Sequence, residues 1–345
     1  MPPTGRPAAP FAGGRADWLD VLKVLLVVGM ICAHCIQLLM VRPTPAESVV
    51  SNFINIITFS GFMLAFGIGI GLSRRDKSWG QRLWPVLLLL LATWTSEFAF
   101  AVLVDRQAIG PELLLPLLTL RRLYGWSEFL ASFTVLYLVI AVARPLLVAV
   151  ATRWPLLVIA IVACLASTWI VLDTGLPLVP TIVGTTEFAS FPLLPYLPWF
   201  LVGIAMARGV RLPPLLEWIA ALLGTAAFAY SLWQNHDLPG RFPPTVLWIV
   251  GPALPLLVYV TLALGIGRLK PPGWLLGTGR HVLAALLVSN LAIFTLRWRF
   301  GYRLGSPWWE PLVIAAAIVI GATIWANLLD MLRLRRGAAA RTAAA

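Results

Sequence analysis

Ten apolar runs of 17 to 24 residues alternate with short polar connections, at about 19–40, 49–72, 83–104, 127–149, 155–173, 192–208, 214–234, 245–267, 281–297 and 309–332. About twenty apolar residues cross a bilayer as a helix. A helix satisfies its own backbone there, which an open strand does not. The pattern therefore predicts an all-α polytopic membrane bundle of about ten transmembrane helices over 17–336. Pro85 suits the first turn of the third helix. The stretch 111–126 is apolar but broken by Pro116, Arg121 and Arg122, and reads as an interfacial or re-entrant piece. The stretch 174–195 holds too much Pro and Gly to span and reads as a functional loop. Residues 1–16 and the Ala-rich 337–345 read as disordered tails.

Composition agrees with that pattern. Of 345 residues, 60% are hydrophobic and only 12% charged, against about 25% in soluble domains. Mean hydropathy is +0.88. Trp18, Trp84, Trp126, Trp154, Trp308 and Trp309 stand at the ends of apolar runs, as an aromatic belt would. The net charge of +12 comes from residues in the gaps and builds no basic domain, so it indicates a lipid bilayer surface and no nucleic acid. An even number of spans puts both termini on one side. Connections on that side carry seventeen Lys and Arg, those on the other eight, with 73–82 (SRRDKSWGQR) the densest cluster. The excess places both termini in the cytoplasm of a cell-membrane protein. Cys32, Cys35 and Cys164 form neither a disulfide framework nor a zinc spacing.

Ionisable groups inside a span are costly, so they usually face a cavity or a partner. Lys23 and His34 lie eleven residues apart in the first run. On a helix that places them within about 20° on one face and about 16 Å apart along the axis. Asp20 stands at i, i−3 from Lys23 and can pair with it. Lys23 either snorkels to that surface pair or serves a polar chamber. His34 lies too deep to snorkel; it either bonds a neighbouring helix or acts as general base toward a hydroxyl. Glu97 stands beside Thr95 and Ser96, where it could orient His34 or bind an acceptor hydroxyl. Glu128 either caps a helix start or faces the chamber. Arg74, Arg75, Lys77 and Arg82 mark topology and could also hold phosphates. His236 and His281 read as solvated loop residues.

The run Leu19-Asp20-x-x-Lys23, then ten residues, then His34, resembles the first helix of the acyltransferase family 3 membrane proteins, which carry Leu-Asp-x-x-Arg, ten residues and a required His. Phe59-Ser60-Gly61-Phe62 is similar to that family's Ser-Gly-Phe, and Arg82-Leu83-Trp84-Pro85 to its Arg-x-x-Pro. These matches cover roughly the first ninety residues. The chain departs where Lys23 replaces the family's Arg, where Trp79 replaces the first Arg of its loop pair, and where Glu128 replaces a Trp. Ala285, Ser289 and Asn290 stand where a late helix often has Tyr and His. The resemblance implies a divergent acyltransferase. It would move an acyl group, acetyl among them, from acyl-coenzyme A to a hydroxyl of an envelope sugar or other exported acceptor, with no permanently bound cofactor. His34 would be the catalytic base, with Lys23 and Glu97 supporting it. Asp20, Ser60, Arg74, Arg75, Arg82 and Glu128 would contact substrate. The rival class is a transporter or flippase for a lipid-linked or small anionic substrate.

Overall fold

The computed structural model describes residues 17–73, 78–174, 176, 178–302, 304 and 309–342. The chain is all-α, with no named strand among the described residues. Among the described residues eight helices are long and apolar enough to cross a membrane: α1 (Asp17–Leu39), α2 (Pro45–Leu72), α3 (Trp79–Leu103), α5 (Glu128–Thr152), α9 (Pro214–Asn235), the broken pair α10 (Val246–Val250) and α11 (Ala253–Arg268), α13 (Val282–Phe300), and α14 (Glu310–Thr342) over its first 23 residues. α6 (Trp154–Ala166) and α8 (Leu193–Ala207) are apolar but shorter. Three pieces do not span: α4 (Pro111–Leu118), α7 (Val179–Ile182) and α12 (Gly277–Arg280). The protein is a polytopic membrane bundle.

Local chemistry sets the helix ends. α2 starts at Pro45 because Thr44 and Glu47 cap it reciprocally: the Thr44 amide donates to Glu47 Oε2 at 2.6 Å, and the Glu47 amide to Thr44 Oγ1 at 3.4 Å. α3 starts at Trp79, so Pro85 lies inside the helix rather than in its first turn. The Ser78 amide donates to Gln81 Oε1 at 3.3 Å and fixes the earlier start. α5 kinks at Ala143, two residues before Pro145, whose ring removes a backbone donor. α14 continues to Thr342, into the tail expected to be disordered, because Ala favours helix over every other residue. The expected 1–16 tail lies outside the described residues.

α1 and α2 are the most enclosed spans, while α9 and α14 show most of their surface. α1 packs on α2, α11, α13 and α14; α3 packs on α5 and α13. α2 and α8 touch backbone to backbone. A Cβ on Gly67 would fall 2.0 Å from Phe200 O, and one on Gly203 would fall 2.3 Å from Leu64 O. Small residues permit such approach between membrane helices. The break between α10 and α11, at Gly251-Pro252, frees backbone groups that other helices satisfy. Trp199 Nε1 donates to Ile249 O at 2.9 Å, Thr225 Oγ1 donates to Gly251 O at 2.7 Å, and the Leu254 amide donates to Thr225 Oγ1 at 3.0 Å. Val142, Ile159, Leu223 and Ile320 point outward, as a lipid-facing surface requires. Trp84, Trp154 and Trp309 are also exposed, whereas Trp18 is buried. A Cβ on Gly267 would fall 2.7 Å from Trp18 Cβ, so Trp18 fills the α1–α11 contact instead of joining a belt. Trp308 lies outside the described residues.

Candidate active site

Two polar regions lie at opposite ends of α1. The first joins the starts of α1 and α13 to the later part of α14, so these meet on one face of the bundle. Lys23 Nζ donates to Asp20 Oδ1 at 3.2 Å, and Arg280 Nε stands 3.9 Å from Asp20 Oδ2. Arg280 Nη1 also bonds Asp330 Oδ2 at 3.1 Å, and His281 Nε2 lies 2.7 Å from Asp330 Oδ1. The expected Asp20–Lys23 pair is therefore part of a larger network. His281 is buried within it rather than solvated, because the tight turn at α12 delivers it onto Asp330. Gly279 lets α12 lie directly against α1: a Cβ there would meet Asp20 O at 2.2 Å. His236 is exposed at the end of α9, as expected.

The second region surrounds His34. A cavity of about 260 Å³ opens there, lined by His34 and Met30 of α1, by Asn55, Thr58, Phe59 and Phe62 of α2, and by Glu128 and Phe129 of α5. Loop residues Trp126, Ala189, Phe191, Arg241 and Phe242 complete it. The close α2–α8 packing holds its aromatic wall. Phe59 meets Phe191 at 4.4 Å and Tyr196 at 4.6 Å between ring centroids. The loop carrying Ala189 is tied by Asp173, which accepts from Thr185 Oγ1, from the Thr186 amide at 2.8 Å and from Thr186 Oγ1 at 2.6 Å. These bonds hold the Asp173 carboxyl below the usual carboxylate range.

His34 is buried and fixed on two sides. Its Nδ1 lies 3.2 Å from Asn290 Oδ1, and Trp126 packs edge-on with ring centroids 4.9 Å apart. An amide oxygen only accepts, so Nδ1 carries the proton and Nε2 is left as the acceptor. Asn290 Nδ2 in turn donates to Ser96 Oγ at 3.4 Å, which keeps the amide oxygen turned toward the imidazole. The relay runs α1–α13–α3 through three buried side chains.

The remaining expected site residues fall in different places. The group at His34 Nδ1 is Asn290, not Glu97. On α3, Ser96 presents its hydroxyl to Asn290, while Glu97 is fully buried within electrostatic reach of Glu128. Neither Glu97 carboxyl oxygen has a hydrogen-bond partner among the described residues. Glu128 begins α5 and lines the cavity, so capping position and cavity position coincide. Ser60 is fully buried and outside the lining. Gly61 next to it serves packing, since a Cβ there would meet Leu26 Cδ2 at 2.6 Å. Arg82 donates to Ala141 O at 3.3 Å and lies over the Trp79 ring at 5.5 Å. It shares a pocket of about 50 Å³ with Arg144. Arg74, Arg75 and Lys77 lie outside the described residues. Among the described residues no three His, Cys, Asp or Glu side chains are grouped to hold a metal ion.

Two residues at the site are not apparent from spacing along the chain. Asn290 sits in an apolar run whose polar members cannot be assigned a partner from sequence. Arg241 lies in the loop NHDLPGRFPP and reads there only as a topology charge. In the fold it faces the cavity, with its guanidinium carbon 4.6 Å from the Phe242 centroid and 5.2 Å from that of Phe191. Burial pulls its guanidinium below the ordinary value, and the carboxylate of Glu128 opposes that pull. Compared with family models, curated proteins and solved structures, the chain matches none.

Proposed function

We propose that this protein is a membrane acyltransferase, a divergent relative of acyltransferase family 3, moving an acyl group from acyl-coenzyme A to a hydroxyl-bearing acceptor. The observation that carries the reading is the imidazole of His34, anchored at Nδ1 by Asn290 and lining a cavity inside a membrane bundle. Such an anchor fixes the tautomer that a general base needs. In the reaction, the acceptor O–H gives its proton to His34 Nε2 as its oxygen attacks the thioester carbonyl. The C–S bond then breaks, and the departing thiolate takes the proton from the imidazolium. The products are the acyl ester and free coenzyme A. The excess of Lys and Arg supports a cytoplasmic side for Lys23, Arg82 and both termini, where an acyl-coenzyme A donor would be. Lys23 stands about 16 Å along α1 from His34, a distance the donor's pantetheine arm would bridge.

One feature favours a transporter instead: the span 246–268 is interrupted at Gly251-Pro252, and broken helices often carry transport sites. The two readings separate in detergent, where there is no compartment to transport between. Purified protein given labelled acetyl-coenzyme A should release coenzyme A thiol, by transfer to an added hydroxyl acceptor or to water. Absence of thiol release with folded protein, across acetyl, succinyl and longer acyl donors, would remove the acyltransferase reading.

A further inference from the structure

Arg241 enters the cavity without a direct ion pair among the described residues. Among the described residues no carboxylate lies within ion-pair distance of it, and its Nε is enclosed with no hydrogen-bond partner. A half-buried guanidinium set against two aromatic rings, with its Nε enclosed and unbonded, is a prepared anion site, since the planar fork bonds a carboxylate through two parallel N–H groups. Glu128 stands within electrostatic reach of the same guanidinium and limits how much further negative charge the site accepts. That favours a monoanion over a phosphate dianion. The rest of the lining, including Phe59, Phe62, Trp126 and Phe129, offers apolar faces suited to the C–H face of a ring. The cavity of about 260 Å³ is below the usual drug-sized range of about 300–1,000 Å³, which suits one ring rather than a chain.

We infer that the cavity binds a single carboxylate-bearing sugar unit, with Arg241 gripping the carboxylate and setting specificity. This rests on the proposed acyl transfer only in calling that sugar the acceptor; the binding itself needs no donor. Saturation-transfer NMR on the protein in lipid nanodiscs detects such weak binding directly. The probes are methyl glucuronide, methyl glucoside and methyl glucoside 6-phosphate at equal concentration, without acyl-coenzyme A. The glucuronide should give ring-proton signals at least fivefold above the other two. Arg241→Met should reduce them to the glucoside level. Arg241→Lys, which keeps the charge without the fork, should retain an intermediate signal and controls for folding. Equal signals from glucoside, preference for the phosphate, no signal from the glucuronide, or full signal in folded Arg241→Met would each overturn the inference. Glucuronide binding through Arg241 in a protein that releases no thiol from acyl-coenzyme A would instead sink the acyltransferase reading and leave this site standing.

Discussion

Asn290→Leu tests whether the α1–α13–α3 relay serves chemistry or only packing. Leu keeps the branched shape of Asn, with two bulkier methyl groups in place of the amide and no donor or acceptor, so the bundle loses the 3.2 Å bond to His34 Nδ1 and the 3.4 Å bond to Ser96. Trp126 still holds the ring edge-on at 4.9 Å, so the imidazole stays in place while its tautomer is released. One buried neutral hydrogen bond contributes about 1–1.5 kcal/mol, and about 1.4 kcal/mol is tenfold in rate. The expected result is a roughly tenfold lower kcat for thiol release from acetyl-coenzyme A with an unchanged KM for that donor. Because Asn290 acts through His34, combining Asn290→Leu with His34→Ala should cost no more than His34→Ala alone. A change in KM or melting temperature with kcat intact would refute the positioning role. So would two variants whose losses multiply.

Lys23→Met should loosen the Asp20–Arg280–Asp330 network and weaken acetyl-coenzyme A binding by about 1–3 kcal/mol, read as donor affinity. Unchanged affinity with a lower melting temperature would make Lys23 structural. Gly203→Ala drives a Cβ into Leu64 O and should destabilise the α2–α8 pair by about 1–3 kcal/mol in thermal unfolding; wild-type stability would contradict the backbone contact. The Asp173 carboxyl is held low by the Thr185 and Thr186 bonds, so its tie on the loop is complete above the unfolded carboxylate value of about 3.9 and fades as pH falls through the lower folded value. Hydrogen exchange at the Thr186 amide should therefore show protection lost in acid in wild type and absent already at neutral pH in Asp173→Ala, which has no side-chain acceptor. A single Cys at exposed Ser78, in a chain lacking Cys32, Cys35 and Cys164, should resist an impermeant thiol reagent in intact cells, and ready labelling there would reverse the orientation.

The helical membrane class follows from apolar run length, which is why each of the ten runs holds helix. The run 155–173 overshoots because its final residues leave the helix at Ser167 for a 3-10 turn and loop, a change hydropathy does not register. The Asp20–Lys23 pair is legible because it is local to one helix turn. The cluster that encloses it is not, since Arg280 and Asp330 arrive from about 260 and 310 residues away through the turn at Gly279. His34 stands out on a helix face as a costly buried group. Its partner does not, because an Asn in an apolar run has no spacing that points at α1. Arg241 is the sharpest case: in sequence it is one of eight charges on the less basic side, and only the packing of Phe191 and Phe242 around it shows that it faces inward.

The central claim is that His34 is the base for acyl transfer. The direct test compares purified wild type with His34→Ala, both shown folded by their melting curves, for thiol release from labelled acetyl-coenzyme A in the presence of a hydroxyl acceptor. Loss of a general base costs about 10²–10⁴-fold. The account predicts a loss in that range in kcat with donor binding retained. Thiol release by His34→Ala at the wild-type rate would contradict it.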